Sequence, residues 1–248
     1  MRTRLGAASL SAVLAVLLSA CATSSPAAPP ASEGLVQNRA IPDVPLVDSS
    51  GRSTSLAAFR GKDIVMAPFL TLCQDECPLV TGAFIALQRD VEAAGLGKKV
   101  VFMEITVDPG RDTPARLSAY GKEFGADWVL ATGTPANLHH LWSYLGVSVQ
   151  IVPEEQPPKL DWWTGKPLTY DVDHTDGYFL IDASGHERFS DSNPPNLHGH
   201  LNRKLTNLLN AGGLKNLDDQ SDPNWTLSQA LGSLSWLVGQ SIPSVAST

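Results

Sequence analysis

The sequence predicts an α/β domain in which helices flank a mixed β-sheet. Between residues 63 and 152, short apolar runs alternate with segments whose apolar residues recur at helical spacing, which is the pattern of strands joined by helices. The chain then predicts a hairpin over 177–189, followed by a helix. With 43% hydrophobic and 17% charged residues among 248, the composition is that of a globular protein and excludes collagen, coiled coil and wholesale disorder.

The first twenty residues have the composition of an export signal. Arg2 and Arg4 precede an apolar run, residues 5–18, that is too short to cross a membrane comfortably. The run ends in Leu-Ser-Ala before Cys21, which resembles a bacterial lipobox and implies lipidation of that cysteine. An ordinary secretory signal and an uncleaved anchor are the alternatives. Residues 1–20 are predicted to be a lipoprotein signal peptide, and the protein is expected on the extracytoplasmic face of the bacterial cell membrane, anchored by lipid.

Residues 21–38 are predicted to be the lipidated cysteine and a flexible tether. Up to Gly34 the chain is mostly Ala, Ser and Pro, a composition that cannot form a core and favours semi-extended backbone. The folded domain is predicted over residues 39–211, and residues 212–248 are predicted to be a C-terminal extension.

Each element of the domain has its own signal. Apolar stretches around Asp48-Ser49-Ser50-Gly51 predict an N-terminal hairpin over 44–56. Residues 63–70 predict a strand in which Pro68 is expected near the end or at an irregularity, because proline cannot donate to a ladder. The other predicted elements are helices from 78 to 95 and beginning at 113 and 134, strands at 100–107, 128–131 and 147–152, an irregular segment at 153–170, strands at 177–182 and 186–189, and a helix at 196–210.

The extension contains two different segments. Residues 212–223 are polar and indicate a flexible linker. Residues 225–238 carry apolar side chains at helical spacing and predict an amphipathic helix. Its apolar face could pack on the domain itself, on a partner or on lipid, and we favour the domain.

The charge balance narrows the class of partner. The formal net charge is −7 and no basic block is present, so nucleic-acid binding is not expected.

Three cysteines are too few for a disulfide-built scaffold. We expect a monomer.

Two cysteines lie where a predicted strand leads into a predicted helix. Cys73 and Cys77 are four residues apart, so a helical turn would place both sulfurs on one face. Cys77 would lie at the helix N-terminus, where the dipole lowers the pKa of a thiol. Thiolates bind soft metals and attack disulfides. Taken alone, the pair is equally compatible with a structural disulfide or with two buried thiols, and outside the cytoplasm a disulfide is the default.

A histidine in the second half of the chain is a candidate third ligand. His174 lies in an Asp-rich segment, residues 171–176, and is predicted in a loop beside the strand that follows. Two sulfur ligands and one nitrogen ligand suit copper, whereas a closed zinc site usually has a fourth protein ligand. A lone loop histidine is otherwise a surface residue.

The remaining candidate ligands and aromatic residues are assigned to structure. Met66 and Met103 lie on predicted strands and indicate core packing rather than a Met-rich copper motif. Trp162-Trp163 could line a metal site or a docking patch, and we favour loop packing. The other histidines are assigned to the surface or to ordinary hydrogen bonds, because none forms a ligand pair at helical spacing: His139, His140, His186, His198 and His200.

Four segments together resemble the Sco/SenC family. They are residues 73–78 (CQDECP), 107–114 (VDPGRDTP), 130–134 (LATGT) and 172–174 (VDH), the last followed by YFLID at 178–182. They occur in the family's order and with similar spacing, and the likeness covers about residues 40–210. The sequence departs from the family at Gln74, where proline is common, and at Leu70, where an aromatic is common; neither change removes a ligand.

The resemblance implies a specific fold and role. Family members have a thioredoxin-like fold, are tethered outside the cytoplasm and bind copper, as Cu(I) or Cu(II), through residues that correspond to Cys73, Cys77 and His174. They assist assembly of the copper centre of cytochrome c oxidase, so the implied partner is its copper-centre subunit or another copper or thiol protein. Asp108 falls on a family motif; with Arg111 and Asp112 it is predicted to build the loop near the site rather than to bind metal.

A thiol–disulfide oxidoreductase acting on extracytoplasmic protein thiols is the alternative. Such enzymes usually carry Cys-x-x-Cys and a cis-proline facing it, and this chain has a longer spacing and no proline adjacent to His174. The two roles could coexist, because copper binding requires the reduced pair. A peroxiredoxin-like peroxidase is disfavoured, because Leu72 and Asp75 occupy the Thr and Cys positions counted from Pro68.

Overall fold

An eight-stranded mixed sheet lies at the centre of the computed structural model, which describes residues 34–218 and 224–245. Cys21, the predicted signal and the tether up to residue 33 lie outside the described residues. The strands are β1 (Leu35–Ala40), β2 (Leu46–Asp48), β3 (Ser53–Thr54), β4 (Asp63–Phe69), β5 (Val100–Thr106), β6 (Val129–Thr132), β7 (Val149–Val152), β8 (Asp171–His174), β9 (Tyr178–Ile181), β10 (His186–Asp191), β11 (Pro195–Asn196) and β12 (Trp225–Thr226). The helices are α1 (Cys77–Ala93), α2 (Pro114–Phe124), α3 (Pro135–Leu145), α4 (Arg203–Thr206), α5 (Ala211–Asp218) and α6 (Leu227–Val238).

The order of the strands confirms the predicted mixed sheet. It runs β1-β10-β9-β4-β5-β6-β2-β3, with β4, β5 and β6 parallel and the remaining pairs antiparallel. The predicted hairpin over 44–56 is β2 and β3. Pro68 is the next-to-last residue of β4, near the strand's end as predicted. Two short pairs, β7 with β8 and β11 with β12, lie outside this sheet.

Alternate residues of β4 belong to two different hydrophobic clusters. Ile64 and Met66 pack with the apolar residues of α2 and α3, whereas Val65 and Ala67 pack with those of α1 and α6. This alternation follows from the period of a strand, whose successive side chains point to opposite faces. Both faces are covered, which is why β4 is apolar at every residue from Ile64 to Phe69 rather than at every second one.

Local signals define the ends of α2 and α3, the two helices that pack on the Ile64 and Met66 side of the sheet. The hydroxyls of Thr113 and Thr134 accept hydrogen bonds from backbone amides in the first turns of α2 and α3, and proline follows each. Gly125 and Gly146 end the two helices in the left-handed conformation, at φ of 80° and 79°.

The edge strand β1 occupies part of the range expected to be tether. It pairs antiparallel with β10 from Leu35 onwards. Residues 35–38 are therefore part of the sheet, and the prediction that the tether extends to residue 38 needs this correction. The sequence signal was weak because the strand is short and half-exposed, so it lacks the apolar run of a central strand.

The predicted helix over 196–210 is wrong. Only α4, four residues long, is helical there, because His198 and Gly199 adopt positive φ angles of 50° and 77° that no α-helix accommodates. The prediction of a flexible segment from residue 212 is also wrong up to residue 218, since α5 covers it. Residues 219–223 lie outside the described part of the chain.

The predicted C-terminal amphipathic helix is confirmed as α6. Thr226 caps it, and the Gln229 side chain accepts from the Thr226 amide to complete a capping box. Leu231 and Leu234 are buried against α1, so the apolar face packs on the domain itself, as favoured. None of the helices found in residues 34–218 and 224–245 is long and apolar enough to cross a membrane.

Candidate metal centre

The loop that joins the carboxyl end of β4 to α1 contains Cys73 and ends at Cys77. Cys77 is the first residue of α1 and is 1% exposed, whereas Cys73 is half-buried in the loop. Both are free thiols in the structure. Pro78 is the second residue of α1, and proline fits this first turn because its missing amide hydrogen would have no intrahelical partner there.

The two sulfurs have different electrostatic environments. The backbone amide of Cys77 donates to Cys73 Sγ at 3.4 Å. A hydrogen bond from the Cys77 thiol, with further support from His174, holds the pKa of Cys73 well below its usual value, despite burial. Burial and the neighbouring Cys73 raise the pKa of Cys77 well above its usual value. The sequence favoured Cys77 as the thiolate, but burial raises the pKa of that thiol, and the hydrogen bonds at Cys73 favour the thiolate there instead.

His174 completes a cluster with these sulfurs. Its Nε2 lies 3.3 Å from Cys77 Sγ, and its Nδ1 lies 3.0 Å from the carbonyl oxygen of Thr175. When Nδ1 donates to that carbonyl, Nε2 presents its lone pair toward the thiols. Sulfur and nitrogen ligands at zinc-like distances from one ion lie about 3.6 Å apart. The observed separation is within a few tenths of an ångström of that value.

The imidazole is held at the end of a strand rather than in a loop. His174 is the last residue of β8, which pairs with β7 to form a two-stranded arm beside the central sheet. Its side chain is 4% exposed and lies 4.0 Å from Asp176. Burial alone would lower the pKa of His174, but the hydrogen bond with Cys73 and the charges of Asp176 and Cys73 raise it to about 9.

Asp112 anchors the beginning of the loop between β4 and α1, which contains Cys73. Its carboxylate accepts from the backbone amide of Thr71 at 3.1 Å and from the hydroxyls of Thr71 and Thr106. Nearby, Asp108 forms an ion pair with Arg111. These contacts give Asp108, Arg111 and Asp112 a structural role in the loop beside the site, as the sequence suggested.

Trp162 packs on the same stretch of chain. Its indole nitrogen donates to the carbonyl oxygen of Thr71 at 2.8 Å, and its ring contacts those of Tyr120 and Phe124. Loop packing, favoured from the sequence, is thus the role of Trp162. Its neighbour Trp163 is 47% exposed.

Three carboxyl groups around the cluster were not identified as part of the site from the sequence. Asp75 and Glu76 lie between the cysteines, and Asp176 lies two residues after His174. Burial and neighbouring negative charges raise the pKa of Glu76 to about 8, and burial, opposed by His174, raises that of Asp176 to about 7. Their proximity in sequence to the three ligand candidates was the available signal.

The arrangement joins two sulfur donors and one nitrogen donor in one place, with Cys73 partly open to solvent. Such a set favours a soft metal ion, and the exposed side permits exchange with a partner. The other histidines do not join it: His139, His140, His198 and His200 are exposed, and His186 lies at the start of β10.

Known proteins of one family share this architecture. ScoI of Bradyrhizobium japonicum, a structure with copper bound, is 27% identical; the match covers 68% of this chain and 98% of that one, with a TM-score of 0.52. Apo Sco1 of Thermus thermophilus, 23% identical, covers 65% of this chain and 86% of its own at a TM-score of 0.52 and supports the thioredoxin-like fold alone.

A curated relative agrees with these structures. The mitochondrial protein SCO2 homolog of Mus musculus is 28% identical over 143 residues, which is 58% of this chain. The match spans about half of the mouse protein, 52% of its length. The family model described as SCO1/SenC matches residues 35–203. That range contains the whole cysteine–histidine cluster and more than half of the sequence, and the protein therefore belongs to the SCO1/SenC family.

Proposed function

We propose that this protein is a copper-binding chaperone, tethered to the membrane outside the cytoplasm, that assists assembly of the copper centre of cytochrome c oxidase. One observation carries the proposal: Cys73, Cys77 and His174 form a single cluster although His174 is 97 residues from Cys77 in the chain. Family membership supports cytochrome c oxidase as the recipient of the copper, because Sco proteins are involved in supplying copper to this enzyme.

Copper is the cargo in this proposal. Cys73, already favoured as thiolate, and Cys77, after losing its proton, supply two soft sulfur ligands. His174 supplies the third ligand through Nε2 after that nitrogen loses its proton, and the contact of Nδ1 with Thr175 orients the ring. Lipidation of Cys21, predicted from the lipobox-like sequence, would keep the site near a membrane-embedded partner.

Thiol–disulfide exchange is the second candidate, and the two thiols themselves favour it. Cys73 is partly exposed with a lowered pKa, which suits the attacking thiolate, and buried Cys77 suits the resolving thiol. Cys73 would form a mixed disulfide with a substrate disulfide and release one substrate thiolate. Cys77 would then displace the second, so that the substrate is reduced as the Cys73–Cys77 disulfide forms.

The deciding experiment is an anaerobic copper titration of the reduced protein, followed by absorption and EPR spectroscopy. His174→Ala is compared with His140→Ala, a change at an exposed histidine on α3. The proposal predicts one copper per chain, with a thiolate-to-copper band that changes in His174→Ala and not in His140→Ala. No stoichiometric copper, together with a dithiol that cycles against a disulfide, would replace it with the oxidoreductase.

A further inference from the structure

The segment that follows the family domain contacts every residue between the two cysteines. The family match ends at residue 203, and α5 begins eight residues later. The backbone amide of Asn210 donates to the carbonyl oxygen of Gln74 at 2.7 Å. The side-chain amide of Asn216 donates to Asp75 at 2.7 Å and to Glu76. We call residues 210–216 the clamp segment.

The clamp segment approaches the loop backbone as closely as glycine allows. A Cβ at Gly213 would lie 2.7 Å from the carbonyl oxygen of Gln74 and 3.1 Å from Cα of Asp75. Contacts of the shorter distance are not found for real Cβ atoms, so any larger residue would displace the loop or the helix. The side chain of Asn210 accepts from the Gly213 amide at 2.8 Å and fixes this first turn of α5.

The contacts of Asn216 with Asp75 and Glu76 are partly buried. Glu76 Oε2 is buried with no hydrogen-bond partner among the residues that the structure describes, so Asn216 satisfies only the other oxygen. Removal of the Asn216 amide would leave the whole carboxyl group of Glu76 without that donor. A buried polar group without a partner destabilises the conformation that buries it.

We propose that the clamp segment is a positioning device for the metal ligands, acting through Gln74, Asp75 and Glu76 to hold Cys73 and Cys77 in the ligand geometry. Asp112 and Trp162 hold the loop at Thr71, before the first cysteine, and α1 holds it after the second. The clamp segment restrains the residues between them. A loop ordered before the ion arrives loses less conformational freedom on binding, which strengthens binding.

Two glycines in different places give a comparison. Gly213→Ala introduces a methyl group against the loop backbone. In Gly97→Ala, outside the clamp segment, the atom nearest the new methyl group would be Cγ of Glu92 at 3.5 Å, an ordinary contact. Asn216→Ala, with Asn207→Ala at an exposed position as its control, tests the polar contact separately.

The measurements are the Cu(I) dissociation constant, the reduction potential of the Cys73–Cys77 pair against glutathione, and hydrogen–deuterium exchange of the peptide over 70–79. If the clamp segment positions the ligands, Gly213→Ala and Asn216→Ala should weaken Cu(I) binding by about tenfold. This is the usual loss of metal affinity when a group that orients a ligand is changed. The positioning role also predicts faster hydrogen–deuterium exchange in the loop and a shifted reduction potential in both variants, and wild-type values in Gly97→Ala and Asn207→Ala.

Because the positioning role rests on the proposed function, the readouts separate the two. If the wild-type protein binds no copper, the proposed function fails. Hydrogen–deuterium exchange of the loop and the reduction potential of the cysteine pair then still decide whether the clamp segment positions the thiols. Unchanged hydrogen–deuterium exchange of the loop in Asn216→Ala would overturn the positioning role of the clamp segment. Faster exchange with unchanged potential and copper affinity would also overturn it, since the contacts would then be structural only.

Discussion

Cys77 Sγ and His174 Nε2 lie 3.3 Å apart, although one begins the helix after β4 and the other ends β8. The contact joins the central sheet to the β7–β8 arm at the point where the candidate ligands meet. Both side chains are almost fully buried, so the cluster opens to solvent on the side of Cys73. Ligand exchange with a partner is therefore expected to begin at Cys73.

Replacement of Cys77 with serine is expected to abolish stoichiometric copper binding and dithiol chemistry together. Serine is a hard, weakly acidic ligand and cannot form the disulfide. Copper per chain after anaerobic loading and desalting measures the first effect, and thiol titration after oxidation measures the second. His140→Ala, at an exposed position of α3, is the control and should retain one copper per chain. Tight copper binding by Cys77→Ser would show that other residues are the ligands.

Asp112→Asn is expected to destabilise the fold by about 1–3 kcal/mol. The amide nitrogen cannot accept a hydrogen bond, so it would either oppose the Thr71 backbone amide or force a threonine hydroxyl to reverse its hydrogen bond. The side chain is 1% exposed and accepts from Thr71 and Thr106. Urea denaturation measures the change in the free energy of unfolding. Asp127→Asn, at an exposed position, should change it little. Equal stability of the two variants would show that Asp112 does not anchor the loop.

Glu104 is expected to make the folded state less stable as the pH rises. Burial raises the pKa of this carboxyl group from 4.5 to about 7, against the hydrogen bonds from Thr81 and Trp128. The folded protein therefore binds the proton more tightly than the unfolded chain, and the stabilisation present below pH 4.5 is lost as the pH rises through 7. The shift corresponds to about 3 kcal/mol.

The measurement for Glu104 is urea denaturation at pH 5 and pH 8. Glu104→Gln removes the titrating group and should show a smaller loss of stability between these pH values than the wild-type protein. Glu92→Gln, at an exposed position of α1, should follow the wild type. Parallel pH profiles for the wild type and Glu104→Gln would contradict the assignment.

Leu234→Ala is expected to lower the free energy of unfolding by about 2–5 kcal/mol, the usual cost of a cavity in a core. Leu234 is 1% exposed in the cluster that α6 shares with α1. Leu214→Ala, at a residue of α5 that is 44% exposed, is the control and should cost far less. Similar costs for the two variants would mean that α6 is not an integral part of the domain.

Much of the domain could be predicted because its signals are local. The apolar run of β4, the Thr-Pro starts of α2 and α3 and the helical spacing in α1 all lie within a few residues of the elements they define. The predicted helix over 196–210 failed because two residues, His198 and Gly199, adopt left-handed backbone angles there. Helical spacing of leucines gave no sign of that interruption.

By itself, the sequence determined the kinds of donor atom, the strand and helix around the cysteine pair, and the family motifs that contain Cys73, Cys77 and His174. Only the tertiary structure showed that burial raises the pKa of Cys77, whereas hydrogen bonds lower that of Cys73. It alone brought Asn216 to Glu76 across 140 residues. Secondary structure depends on interactions along a few residues of chain, whereas burial and long-range contacts exist only after the whole chain has packed.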